Sequence, residues 1–197
     1  MSRWEPNARG RLEQSALELY RENGFESTTV AEITKRAGLT ERTFFRHFAD
    51  KREVLFAGAS ALQEALVRAV HEAPAAMPPI EAIATALTQV ADTVFEQRRE
   101  FVWQRQAVIA ANAELQEREL IKLATLATAL TEALRGRGVI DPAASLAAEA
   151  GIAVFKIAFE SWVGDSGKRT LSQLIRESVD ELKLVTGAQD LPDVVPG

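Results

Sequence analysis

Residues 39–55 read LTERTFFRHFADKREVL, which puts three phenylalanines and five basic side chains (Arg42, Arg46, His47, Lys51 and Arg52) into seventeen positions. Cations at this density suit a polyanionic partner, and the hydroxyls of Thr40 and Thr43 add short-range donors and acceptors beside them. The rest of the chain shows how local this character is. Residues 35–52 hold six Lys or Arg side chains against two acidic ones; from residue 57 onward thirteen face nineteen, and the whole chain carries −5. A short cationic segment therefore sits on an acidic body.

A second group of residues suits a different chemistry. Phe101, Trp103, Gln104, Gln106 and Asn112 mix aromatics with amides, and Phe155, Phe159 and Trp162 recur at helical spacing. Apolar walls with a few oriented polar groups are what a small-molecule pocket needs; the same residues also serve as ordinary core. No basic cluster lies near them along the chain, so the expected ligand is small and largely apolar rather than a multiply charged anion such as a nucleotide. Other chemistries lack their parts. Cysteine is absent and there are two histidines, His47 and His71, with no HExxH or ExxH pair to hold zinc or a di-iron centre. The stretch GDSGKRT at 164–170 is similar to a phosphate-binding loop, but Trp162 stands where the first glycine belongs and no strand precedes it. No enzyme, metal or cofactor is expected.

The elements that must position these groups all read as helix, with apolar residues recurring at three- and four-residue steps. Nine helices are expected. The first runs from about Asn7 to Asn23, with Gly24 in the left-handed position at its end and Phe25 folding back. Thr29 and Glu32 form a capping box for a second, which Gly38 closes; Thr40 caps a third through His47. Asp50 and Glu53 form another box, opening a long fourth helix striped by Leu55, Leu62 and Leu66 until Pro74. After the PAAMPP break comes a fifth with Ile80, Ile83, Leu87, Val90 and Val94. Helices over 100–111 and 114–135 follow. Asp141-Pro142 starts an eighth as N-cap and N1, carrying a small-residue face of Ala147, Ala150, Gly151, Val154, Ala158 and Ser161. Thr170 with Gln173 caps a ninth, striped by Leu171, Leu174, Ile175, Leu182 and Val185. The tail, 188–197, has no periodicity and is expected to be flexible.

Within residues 24–55 two short helices meet at AGLT, a glycine-bearing corner that matches a helix-turn-helix. Phe44 and Phe48, four apart, face the core, so that Arg42, Thr43, Arg46 and His47 share the outer face.

The segment GFESTTVAEITKRAGLTERTFFRHFADKREVL, with the amphipathic helix before it, resembles the tetracycline-repressor (TetR) family of transcriptional regulators. The resemblance implies an all-α homodimer: residues 1–50 as the DNA-binding domain, 51–187 as the ligand-binding and dimerisation domain, and pairing through the eighth and ninth helices. It implies a repressor of a palindromic double-stranded DNA operator, released by an effector. By the same resemblance Thr29 offers a phosphate its hydroxyl and N–H, Thr40 and Thr43 lie where base edges or phosphates are closest, and His47 and Lys51 bind phosphate. Arg42 stands where the family often has glycine, and its guanidinium is long enough to fork onto a guanine; Arg46 reads a base or a phosphate. Phe45 replaces a common tyrosine, which leaves only stacking or methyl contact. A helical carrier protein with a vestigial DNA module is the alternative. The N-terminus has no signal-peptide pattern and no run is apolar enough to span a membrane, so the cytoplasm is the expected location.

Overall fold

In the computed structural model the described residues are 7–165 and 168–187; the expected tail, 188–197, lies outside them. Within that span the secondary structure is helical: α1 Ala8–Asn23, α2 Val30–Ala37, α3 Glu41–His47, α4 Ala59–Glu72, α5 Pro79–Val90, α6 Arg99–Ala110, α7 Ala113–Gly136, α8 Ala143–Gly164 and α9 Leu171–Thr186. No helix among the described residues is long and apolar enough to cross a membrane.

The local signals act mostly as the sequence requires. Thr29 and Glu32 form both halves of a capping box on α2, and Thr170 with Gln173 does so on α9. Gly38 takes the left-handed conformation (φ 65°, ψ 34°) that turns the chain from α2 toward α3. Gly24 has positive φ but extended ψ, so α1 ends without the expected left-handed cap. Phe25 still folds back, its ring 5.2 Å from that of Tyr20.

Four further expectations fail, the first three for a visible reason. Asp50 accepts the N–H groups of Arg52 and Glu53, yet they open only a 3-10 turn, Glu53–Phe56; the carboxylate of Glu53 is drawn to α7, and α4 starts after Gly58. Beyond Val90, α5 widens into a π turn, Ala91–Phe95, and the added residue rotates Val94 outward and Phe95 toward the core. Asp141 stands one residue before the N-cap position of α8, which Pro142 takes; its carboxylate accepts from Ser145 at 3.0 Å and pairs with Arg135. Val185, on the last turn of α9, is exposed.

Two apolar cores result. One gathers α1–α3 around Leu12, Leu17, Ile33 and Phe44, and it also takes in Val54, Leu55 and Phe56 of the 3-10 turn with Val108, Ile109 and Leu115 from the α6–α7 corner. The other joins α4, α5, α7, α8 and α9 around Ile83, Leu130, Leu134, Trp162 and Ile175. Gly151 lets α8 approach α5: a Cβ there would lie 2.5 Å from Cγ2 of Ile83. Val154 and Ala158 are buried in the same core. Part of the small-residue face of α8 therefore packs inside the chain, and the large apolar side chains exposed on this helix are Leu146 and Ile157.

Candidate nucleic-acid interface and effector cavity

The outer face of the helix-turn-helix is built by α3. Burying Phe44 and Phe48 fixes its rotation, and Thr40 caps it by accepting the N–H of Thr43 at 3.2 Å. That rotation leaves Arg42, Arg46 and His47 exposed, with Phe45 beside them 56 % exposed. The Thr40 and Thr43 hydroxyls lie 3.0 Å apart at the start of the helix. Neither Arg42 nor Arg46 makes an ion pair among the described residues, and the same holds for Lys35 on the last turn of α2. The other cations of the segment are engaged: Arg36 with Glu18 and Glu22, Arg52 with Asp50 and Glu114. The +4 excess read from the sequence thus resolves into a few outward cations and several structural ones.

Two expected phosphate contacts look different in the structure. The backbone N–H and the hydroxyl of Thr29 both donate to Glu32, each at 2.8 Å, and these bonds hold the Glu32 carboxyl below its ordinary range. A phosphate at the α2 N-terminus meets that carboxylate first. Lys51 turns back into its own fold. Its Nζ donates to the carbonyls of Phe25, Glu26 and Thr28 at 2.8, 3.0 and 3.1 Å and lies 4.5 Å from the centre of the Phe25 ring. All three ammonium N–H groups are used. The Tyr20 hydroxyl donates to the Lys51 carbonyl at 2.6 Å, and burial, with Asp50 nearby, pushes that phenol well above its usual range.

A cavity of about 800 Å³ lies between the 3-10 turn, α4, the π turn, α6, α7 and α8. Of the residues expected at a ligand site, Phe101, Gln106 and Phe155 line it; Trp103, Gln104 and Asn112 do not. Trp103 packs edge-on against Trp162 at 5.9 Å, Gln104 donates to Glu100 at 3.0 Å, and Asn112 donates to the Val108 carbonyl at 2.7 Å. Leu62, Phe95, Val102, Leu123 and Phe159 complete the apolar wall.

The sequence reading missed the basic side chains that share this cavity. Arg98, Arg105, Arg118, Lys122 and Lys156 all line it, brought by folding from segments that show no cluster along the chain. Arg105 joins the cavity to the DNA-side core: it donates to the Leu55 carbonyl at 2.6 Å and to Glu119 at 3.2 Å, and its guanidinium lies 5.0 Å from the Phe56 ring centre. Burial lowers its pKa and Glu119 opposes the shift; at neutral pH a guanidinium stays charged.

Comparison with known proteins agrees with this architecture. Residues 14–57 match the family described as bacterial regulatory proteins, tetR family, and residues 77–186 match the MftR C-terminal domain. The chain belongs to the tetR family. Such regulators bind DNA operators and small-molecule effectors and dimerise, and they are not enzymes. Among curated relatives, TcmR of Streptomyces glaucescens, an HTH-type transcriptional regulator, is 42% identical over 82 residues, covering 42% of this tetR-family chain and 36% of that protein. The match thus spans about a third of that relative's length. Similar folds include SmeT, a repressor of a multidrug efflux pump of Stenotrophomonas maltophilia; in complex with triclosan it has TM-score 0.64 and 18% identity, over 96% of this chain and 97% of that one. FadR of Thermus thermophilus, solved with lauroyl-CoA, has TM-score 0.56 and 22% identity, over 96% and 99%.

Proposed function

We propose that this tetR-family regulator is a cytoplasmic repressor that grips a palindromic operator as a homodimer and releases it when a small, largely apolar effector enters the cavity. The observation that carries the DNA reading is the outer face of α3, where Arg42 and Arg46 stand exposed and unpaired among the described residues while neighbouring cations are engaged. In this reading residues 1–50 form the DNA-binding domain and 51–187 the effector-binding and dimerisation domain. Arg42 reads a guanine edge and Arg46 a base or phosphate. Thr40, Thr43, Phe45 and His47 contact the neighbouring backbone and bases, and Thr29 reaches a phosphate after Glu32 moves aside. Dimerisation through α8 and α9 sets two recognition helices about 34 Å apart. Support comes from Leu146 and Ile157 on α8 and Leu184 and Val185 on α9, large apolar side chains exposed on a single chain. The effector reading is supported by the apolar lining of the cavity, and by similar folds described in complex with lauroyl-CoA and with triclosan.

Selection of bound fragments from a random DNA pool tests the reading. A palindromic site should be enriched and bound by two chains. On that site Arg42→Ala should cost about 1–3 kcal/mol and relax preference at one base position. No enriched site, or uniform loss with base preference intact, contradicts it.

A further inference from the structure

The floor of the cavity is also the attachment of the DNA-binding unit. Glu53, which opens the 3-10 turn shortly after α3, accepts from Arg118 Nε at 2.6 Å and from Lys122 Nζ at 3.2 Å. Its side chain is 20% exposed, theirs 36% and 31%. Arg118 and Lys122 line the cavity, as do Arg105 and Glu119. The residues that follow Glu53, Val54 to Phe56, lie in the core shared with α1–α3. So one carboxylate of the DNA-side turn is seated on two cations of the cavity wall. Among the described residues Arg105 pairs with Glu119, and Arg118 and Lys122 share Glu53, so three cations against two carboxylates leave this end of the cavity with a net positive charge.

We propose that the effector carries an acid group, carboxylate or phosphate, which takes the place of Glu53 between Arg118 and Lys122 while its apolar part lies against the phenylalanine wall. Glu53 is the internal occupant of an anion site. An incoming acid gains the two cations that Glu53 loses, and the 3-10 turn is freed from α7. Because Val54–Phe56 belong to the helix-turn-helix core, freeing the turn shifts the recognition helix. A neutral ligand of the same shape fills the cavity without competing for Arg118 and Lys122, and so has no differential affinity for the released state. This inference rests on the effector reading given above.

The test follows operator binding of the full chain by fluorescence anisotropy during addition of decanoate, decyl phosphate or decan-1-ol, with binding of each probe measured by calorimetry to wild type, E53Q and K122M. The two acids should lower operator affinity about 5- to 150-fold, the range of ordinary allosteric coupling, and decan-1-ol should not. By reciprocity E53Q, which removes the internal competitor, should hold operator more weakly with no probe present and bind both acids more tightly by a similar factor. K122M keeps the Arg118–Glu53 bridge, and should weaken acid binding relative to decan-1-ol binding; it serves if E53Q does not fold. Equal action of acid and alcohol overturns the proposal, as does unchanged acid affinity in both variants or acids that bind neither wild type nor variant. If decan-1-ol itself releases the operator, effector control stands and the acid requirement falls. If probes bind in the cavity and none changes operator affinity, effector control falls as well.

Discussion

Arg42 and Lys51 are cations of one short segment, and the fold places them in opposite surroundings. Arg42 projects from a helix face whose rotation is fixed by Phe44 and Phe48, whereas Lys51 is folded over the Phe25 ring with three carbonyls around its ammonium. A lysine saturated in this way ties the α1–α2 loop, and through it the N-terminus of α2, to the segment after α3, with no N–H left to donate to a phosphate. Lys51→Ala should therefore lower thermal stability and operator affinity together, yet leave the slope of log K against log salt unchanged. A residue that neutralises one phosphate would instead reduce that slope by about 0.9. Titrating operator binding across salt concentrations for wild type and variant separates the two, and a slope change of that size returns Lys51 to the phosphate backbone. The sequence identifies both residues as basic and near the recognition helix. It does not show that three carbonyls from a loop about 25 residues earlier converge on one of them.

Helix ends were legible because capping is local chemistry. Thr29 with Glu32, Thr40, Gly38 and Thr170 with Gln173 each satisfy groups within a few residues of themselves. What was not legible depends on distant partners. Glu53 is diverted from its capping role by Arg118 and Lys122 on α7, and the cavity cations come from α6 and the turn before it, α7 and α8, far apart along the chain. The small residues of α8 were legible as a face for close approach, but part of that face meets α5 of the same chain. A variant tests this contact. Gly151→Ala places a methyl against the β-branch methyl of Ile83 and should cost about 1–3 kcal/mol, the usual range for overpacking a core. Ile83→Leu moves that methyl off Cβ, so the double variant should recover part of the loss. Denaturant unfolding of the four proteins measures the coupling, and simple additivity would show that the two side chains do not meet.

At the scale of the whole molecule, the exposed apolar side chains of α8 bear on pairing of two copies. Ile157 is 59% exposed in the single chain, and a charge placed there meets solvent in a monomer but would be buried in the proposed α8–α9 dimer. Ile157→Glu should therefore leave helix content intact, run as a monomer in sedimentation, and lose most operator affinity, since one recognition helix reads too few bases. A dimer that survives the substitution would move the interface elsewhere. The shared core has another consequence, in the order in which the chain is made. α1, α2 and α3 leave the ribosome first, but Val108, Ile109 and Leu115, which complete the core around them, are added much later. A nascent chain halted before Val108 carries α3 without these three apolar side chains. The core around α1–α3 is therefore complete only once synthesis has passed Leu115, and a fragment ending before Val108 should hold operator more weakly than the full chain.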